Sequence, residues 1–137
     1  MILNSKVSIH VFSPNLIPDE IGNEIGLDAD RKIFKGTPRG KSPILKHQEH
    51  VWIIDSKANE KSPIDDHIVN LRNRLGKYGA KIYELKSSCT IQCVCIVICD
   101  SAPPLNFPND LINWLSEIGA SLDVDLYIES EPPSQNQ

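Results

Sequence analysis

The chain has 137 residues, of which 40% are hydrophobic and 23% charged. This composition is typical of one soluble globular domain and excludes a chain that is disordered throughout. No stretch approaches the roughly 20 apolar residues of a membrane helix, and the N-terminus lacks the apolar core of a signal peptide, so we expect a cytoplasmic protein with no membrane partner. The net charge of −4 is uneven, because residues 31–46 carry six basic side chains and no carboxylate.

Alternation of apolar and polar residues predicts a first strand at residues 7–12. A short helix is expected next, with Pro18 at its first position and Gly26 just past its end. Ile21 and Ile25 would form the buried stripe of this helix.

Two further strands are predicted at residues 31–34 and 50–55, and together they indicate a hairpin with a long, turn-rich loop. After a polar linker, residues 62–65 have the pattern of a capping box with proline at the first helical position. The helix that follows has a buried stripe of Ile68, Leu71, Leu75 and Tyr78, and residues 80–85 continue its apolar face through Ile82 and Leu85.

The run Thr90–Cys99 is apolar enough to predict a central strand covered on both faces. It contains three of the four cysteines, which fall on one face at a spacing at or beyond disulfide reach. Their spacing does not match structural zinc patterns, so we interpret them as core packing residues and expect neither metal nor cofactor. A redox-sensitive thiol is the alternative.

The last helix is expected to open at residues 108–110 and to stop at Gly119, with Leu111, Leu115 and Ile118 facing inward and Trp114 beside them. A final strand at residues 122–129 alternates clearly. Its inward residues would be Leu122, Val124, Leu126 and Ile128, and its outward residues Asp123, Asp125, Tyr127 and Glu129.

The two halves share a pattern of strand, proline turn, helix and strand, with Pro18-Asp19-Glu20-Ile21 matching Pro108-Asn109-Asp110-Leu111. Two β-α-β units in one sheet predict an α+β two-layer sandwich. The sheet would be mixed and mostly antiparallel, with helices on one face and a ferredoxin-like character. We expect residues 1–129 to form this single domain and residues 130–137 to be a frayed polar tail.

Three motifs carry a family resemblance. They are Lys35-Gly36-Thr37-Pro38-Arg39, the isolated tryptophan strand Val51-Trp52-Ile53, and Ile118-Gly119-Ala120-Ser121-Leu122-Asp123-Val124-Asp125-Leu126-Tyr127. Together with Gly26-Leu27, they make the chain resemble the bacterial domain-of-unknown-function family DUF4279, from the first strand to Tyr127. The family brings no established activity, substrate or catalytic residues with it, so the resemblance carries none of these over to the chain.

Exposed faces of the flanking strands supply the candidate binding residues. They are His10, Trp52, Asp123, Asp125 and Tyr127. A histidine beside two carboxylates suits a general base or a metal site, but no nucleophile is in register with it. Aromatic residues among carboxylates also suit a protein interface. The alternative is that Asp123 and Asp125 are solvated strand residues and that His10 is a surface or half-buried side chain.

The basic loop contributes Arg31, Lys32, Lys35, Arg39 and Lys41 as a second candidate surface. It lacks a P-loop junction and interleaved aromatic residues, and an acidic body repels a polyanion. A solvated loop or a protein contact is therefore favoured over nucleic acid.

These patterns favour a small non-enzymatic protein-binding or regulatory domain, with an immunity protein that neutralises a cognate toxin as the most concrete version. The acidic body would complement a basic toxin. The alternatives are a hydrolase-type enzyme that uses His10 with Asp123 or Asp125, and nucleic-acid binding through the basic loop.

Overall fold

The computed structural model describes residues 1–129, so the predicted tail at 130–137 lies outside the described residues. Those residues form a two-layer α+β sandwich, as predicted, with one five-stranded mixed sheet. The strands are β1 (Ile2–Ser13), β2 (Arg31–Ile33), β3 (His50–Asp55), β4 (Thr90–Cys99) and β5 (Ser121–Ile128). The α-helices are α1 (Pro18–Ile25), α2 (Ile64–Leu75), α3 (Gly79–Glu84) and α4 (Asn109–Glu117), with 3₁₀ turns at Gly76–Tyr78 and Leu85–Ser87.

The strand order is β2-β3-β1-β4-β5. Three neighbouring pairs are antiparallel, and β4 with β5 is the parallel pair, joined through α4. The predicted hairpin is confirmed as β2 and β3 with their long connecting loop. The two predicted β-α-β units differ in arrangement, because β3 separates β1 from β2 whereas β4 and β5 are adjacent.

The core lies between the helices and one face of the sheet. The predicted inward residues of the first and last helices are buried, and so are Ile82 and Leu85. On the sheet side, alternate residues of β1 and β4 are buried, and on β3 Trp52 and Ile54 join the same cluster. Because the helices cover one face only, the opposite face of the sheet, here called the open face, determines which polar side chains are available to other molecules.

Coverage of β4 on both faces was predicted, and this prediction is wrong. Its cysteine face is buried, but Ile96 on the open face is 40% exposed. The central strand is β1, and β4 lies next to it. The apolar run indicated an interior strand correctly, but with the helices on one face of the sheet, as predicted, no helix covers the other face of β4.

The predicted capping box at the start of α2 is also wrong. The helix begins at Ile64, Pro63 occupies the N-cap position, and no side chain caps the helix. Ser62 contributes instead through its backbone carbonyl, which accepts a hydrogen bond from the Ser5 hydroxyl at 2.7 Å. The serine that resembled a cap is thus a contact between the linker and β1.

β5 departs furthest from expectation. Of its four predicted inward residues only Val124 is partly buried and packs against the core. Leu122, Leu126 and Ile128 are 37%, 38% and 54% exposed. β5 lies at the edge of the sheet, and the nine residues of α4 leave most of its helix side uncovered.

Candidate functional site

Strand register sets which predicted site residues share the open face. His10 on β1 lies opposite Gln92 on β4, which in turn pairs with Ser121 on β5. Asp123 pairs with Val94, one row further along. His10, Asp123, Asp125 and Tyr127 therefore lie on one face as predicted, but β4 separates the histidine from the aspartates, and within residues 1–129 no hydrogen bond joins them.

Trp52 does not belong to this surface. Its side chain lies on the helix-covered face and is fully buried. Its indole Nε1–H donates to the carbonyl oxygen of Leu27 at 3.0 Å, which satisfies the polar atom that burial would otherwise leave unpaired. Because residues 51–54 of β3 are all apolar, alternation did not reveal which side of the strand Trp52 occupies.

His10 is partly buried, and Ser8 on the same face of β1 is its hydrogen-bond partner, with 2.8 Å between Ser8 Oγ and His10 Nε2. Burial lowers the pKa of His10 to about 4, and the nearby Arg31 guanidinium lowers it further than Asp55 raises it. His10 is consequently a neutral imidazole at physiological pH. A neutral ring with one bonded nitrogen suits hydrogen bonding to a ligand better than anion attraction.

Arg31 and Asp55 lie beside His10 and form one wall of a cavity. The Arg31 guanidinium donates to the Asp55 carboxylate at 2.8 and 3.0 Å, a bidentate pair across β2 and β3. Asp30 in turn accepts from Arg74 of α2 at 2.6 Å, and this hydrogen bond lowers the pKa of Asp30. Arg74 also donates to the backbone carbonyl of Asp55 at 2.5 Å, which fixes the end of β3 to α2.

A cavity of about 580 Å³, here called the β1 cavity, opens between this wall and the loop 56–60. Its floor consists of open-face residues of β1 and β4, including Ser8, His10, Val94 and Ile96. This volume is in the range of small-molecule sites, and apolar floor residues beside a few convergent polar groups are typical of such sites.

The back of the β1 cavity contains a hydrogen-bonded group that the sequence pattern did not single out. His67 of α2 is buried, with Nε2 at 2.7 Å from Ser5 Oγ and Nδ1 at 2.5 Å from Ser56 Oγ. Burial lowers the pKa of His67. A histidine on the apolar stripe of α2 was the available signal, but its partners lie far away in the chain. The group fixes β1, the end of β3 and α2 together.

The basic loop is partly neutralised by the acidic body. Besides Arg31, Lys32 is in ion-pair contact with Asp19 of α1. Lys35 donates to the carbonyl oxygen of Pro14 at 3.5 Å. Arg39 lies at another, smaller cavity of about 350 Å³, whose lining also includes His10 and Asp123. Lys41 is exposed.

The exposed edge of β5 also has free backbone groups. Glu129 donates its N–H to the carbonyl oxygen of Cys99 at 2.8 Å. Because N–H direction alternates along a strand, odd-numbered residues bond to β4 and even-numbered residues point their N–H groups away from the sheet. The outward donors are those of Leu122, Val124, Leu126 and Ile128.

Within residues 1–129, no group of three or more His, Cys, Asp or Glu side chains is placed to hold a metal ion. In the same range, no helix combines the length and apolarity needed to cross a membrane. All four cysteines are free. The neighbouring Cys95 thiol and burial both raise the pKa of the Cys93 thiol, so it stays protonated.

The architecture defines a small α+β sandwich domain with helices on one sheet face only and with one exposed edge strand. The chain belongs to the family described as Domain of unknown function (DUF4279), whose family model matches residues 3–129. Neither the curated proteins nor the solved structures include a match.

Proposed function

We propose that this protein is a non-enzymatic protein-binding domain, and that an extended basic segment of its partner adds to the sheet along β5. The observation that carries the proposal is the uncovered edge. Outward N–H groups alternate with carbonyl groups there, and the exposed Leu122 and Leu126 side chains flank them. Adding a partner strand would pair these groups and bury those side chains.

Charge identifies the chemistry of the partner segment. Asp123 and Asp125 project from β5 on the open face, Glu129 follows, and residues 121–129 contain no Lys or Arg. Within residues 1–129, neither Asp123 nor Asp125 forms an ion pair. A neighbouring strand with Lys or Arg at every second position would place its charges beside these carboxylates.

This chemistry is compatible with a regulatory role in which the domain masks a basic protein. The most concrete version is an immunity protein that neutralises a basic toxin, since the chain is acidic overall and would attract such a partner at a distance. In this proposal β1 to β4 form a ferredoxin-like unit, and α4 with β5 is the addition that supplies the binding edge.

A catalytic role through His10 has less support. The histidine bonds to Ser8 rather than to an aspartate, and its pKa of about 4 makes it a weak base near pH 7. The binding proposal uses only groups that are already exposed.

Selection from a display library of random ten-residue peptides on the immobilised protein tests the proposal. We expect enriched peptides with Lys or Arg at alternate positions. These peptides should lose at least tenfold in affinity for Leu126→Pro, which removes one outward N–H.

Leu126→Ala is the matched control, because it removes the same side chain but keeps the N–H group. Peptides that bind Leu126→Pro and Leu126→Ala equally, or that carry no excess of basic residues, would contradict the proposal.

A further inference from the structure

The β1 cavity lies on the far side of β4 from the proposed partner edge, so it is available for a separate role. Its roof is the loop 56–60, which leaves the sheet after Ser56 and returns where the Glu60 carbonyl accepts the N–H of Ser5 at 2.5 Å. Lys57 in this loop has a φ of 59°, a left-handed conformation that is uncommon for a residue other than glycine. Ser56 Oγ also accepts the N–H of Ala58 at 3.3 Å, so the roof is tied to His67 through Ser56.

The charges that line the cavity favour an anion. The lining includes Lys6, Arg31 and Lys57 but only two carboxylates, those of Asp55 and Glu60. Most of these charges already have partners in the protein. Arg31 pairs with Asp55, Lys57 lies 3.6 Å from Asp30, and Glu60 accepts from the Asn4 side chain at 3.2 Å.

Lys6 is the exception among the lining charges. It projects from β1 on the open face, and within residues 1–129 it has no carboxylate within ion-pair distance. A cation at the mouth of a half-enclosed cavity attracts an anion more strongly than a fully solvated lysine does. His10 adds a second polar contact, since its Nε2 is bonded to Ser8 and its Nδ1 has no partner among the described residues.

The floor of the cavity is apolar. Val94 and Ile96 of β4 face the cavity beside Lys6 and Ser8, and Ile96 is 40% exposed. An apolar group of a ligand would cover this surface and remove it from water.

From this combination we infer that the β1 cavity binds a small organic carboxylate, whose apolar body lies on Val94 and Ile96 and whose carboxylate contacts Lys6. The His10 imidazole forms one hydrogen bond with a polar atom of the ligand, either as acceptor or as donor. The group formed by Ser5, Ser56 and His67 holds the back of the cavity rigid and does not itself contact the ligand's charge.

NMR titration of the methyl groups of Val94 and Ile96 tests this inference. The probes are benzoate, phenylacetate and hexanoate, each compared with its neutral primary amide. We expect the carboxylates to shift both methyl signals and to bind about tenfold more tightly than the amides, because only the carboxylate gains from Lys6.

Lys6→Gln should abolish this preference, Lys6→Arg should retain it, and Lys61→Gln is the matched control for the loss of one exposed lysine. The inference is overturned if amides and carboxylates bind equally, if Lys6→Gln keeps the preference, or if saturating carboxylate leaves both methyl signals unmoved.

Discussion

The two edges of the sheet are built in opposite ways. β2 has three residues, and its two basic side chains are paired, Arg31 with Asp55 and Lys32 with Asp19. β5 has eight residues and exposed leucines. A short edge strand with paired charges resists pairing with other chains, whereas a long one with exposed leucines invites it. The difference indicates that the β5 edge is the one available for a partner.

Packing of the helices explains the contrast. On the β2 side, Trp52 reaches the α1–β2 connection and Arg74 fixes the end of β3 to α2. On the β5 side, the chain turns at Gly119, whose φ is 76°, and enters β5 directly after α4. The short helix therefore packs over the sheet interior and leaves the last strand exposed.

The largest expected effect on stability is at Trp52, on the β2 side of the sheet. Trp52→Ala should lower the free energy of unfolding by about 3–5 kcal/mol, because it empties a fully buried site and removes the donor to Leu27. Urea denaturation measures this loss. Ile112→Ala, at a side chain that is 48% exposed on α4, is the control and should change stability by less than about 0.5 kcal/mol. A loss below about 1 kcal/mol for Trp52→Ala would refute this packing account.

His67→Ala should cost roughly 2–3 kcal/mol, because two buried serine hydroxyls lose a partner and a small cavity remains. Thermal unfolding by circular dichroism measures the change against Lys61→Ala, an exposed control in the neighbouring linker. Equal stability of the two variants would mean that the histidine does not connect β1 to α2.

Two proline substitutions separate the inner and outer sides of β5. Asp125→Pro removes an N–H that points to β4, so it should destabilise the fold by about 2 kcal/mol. Leu126→Pro removes an outward N–H and should cost about 1 kcal/mol less than Asp125→Pro. Chemical denaturation of both variants gives the comparison, and the reverse order would show that the assignment of outward donors is wrong.

Acid should weaken the fold through His10. Its pKa is about 4 in the folded protein against 6.5 in the unfolded chain, so the unfolded state binds the proton more tightly. The free energy of unfolding is therefore highest above pH 6.5, where His10 is neutral in both states. It decreases as the pH falls toward 4, because the unfolded chain takes up the proton first. Allowing for partial exposure, we expect about 1 kcal/mol less stability at pH 5 than at pH 7.

His10→Gln, which keeps a hydrogen-bonding group beside Ser8, should flatten that part of the stability profile. Denaturation midpoints at several pH values measure it. An unchanged profile in His10→Gln would assign the acid sensitivity to His67, whose pKa is also lowered by burial.

Replacing the exposed leucines of β5 should change the stability of the fold little but should weaken the binding of basic peptides. Leu122→Lys with Leu126→Lys changes two exposed side chains, so the free energy of unfolding should shift by no more than about 0.5 kcal/mol for each. Binding of basic peptides should nevertheless fall, because the apolar contact is lost and like charge is added. Calorimetric titration checks this, and undiminished binding would exclude the edge as the contact.

Periodicity predicted α1, α4, the β2–β3 hairpin and the residues that share each strand face. It also predicted helices on one face of the sheet, but not that most of β5 stays uncovered, since that depends on the length and position of α4 relative to β5. Trp52 was misplaced because residues 51–54 are all apolar, and Ile96 because residues 93–99 are, so alternation did not show which side of either strand packs on the helices. The site around His67 escaped prediction because Ser5 and Ser56 reach it only after folding, and no local pattern records such contacts.

Amide hydrogen exchange at β5, followed by NMR with and without a selected basic peptide, tests the central claim most directly. The claim is that β5 receives a partner strand on its outer side. The peptide should slow exchange at Leu122, Val124, Leu126 and Ile128, while the odd-numbered amides, already bonded to β4, change little. Unchanged exchange at the even-numbered amides of the peptide-bound protein would contradict the claim.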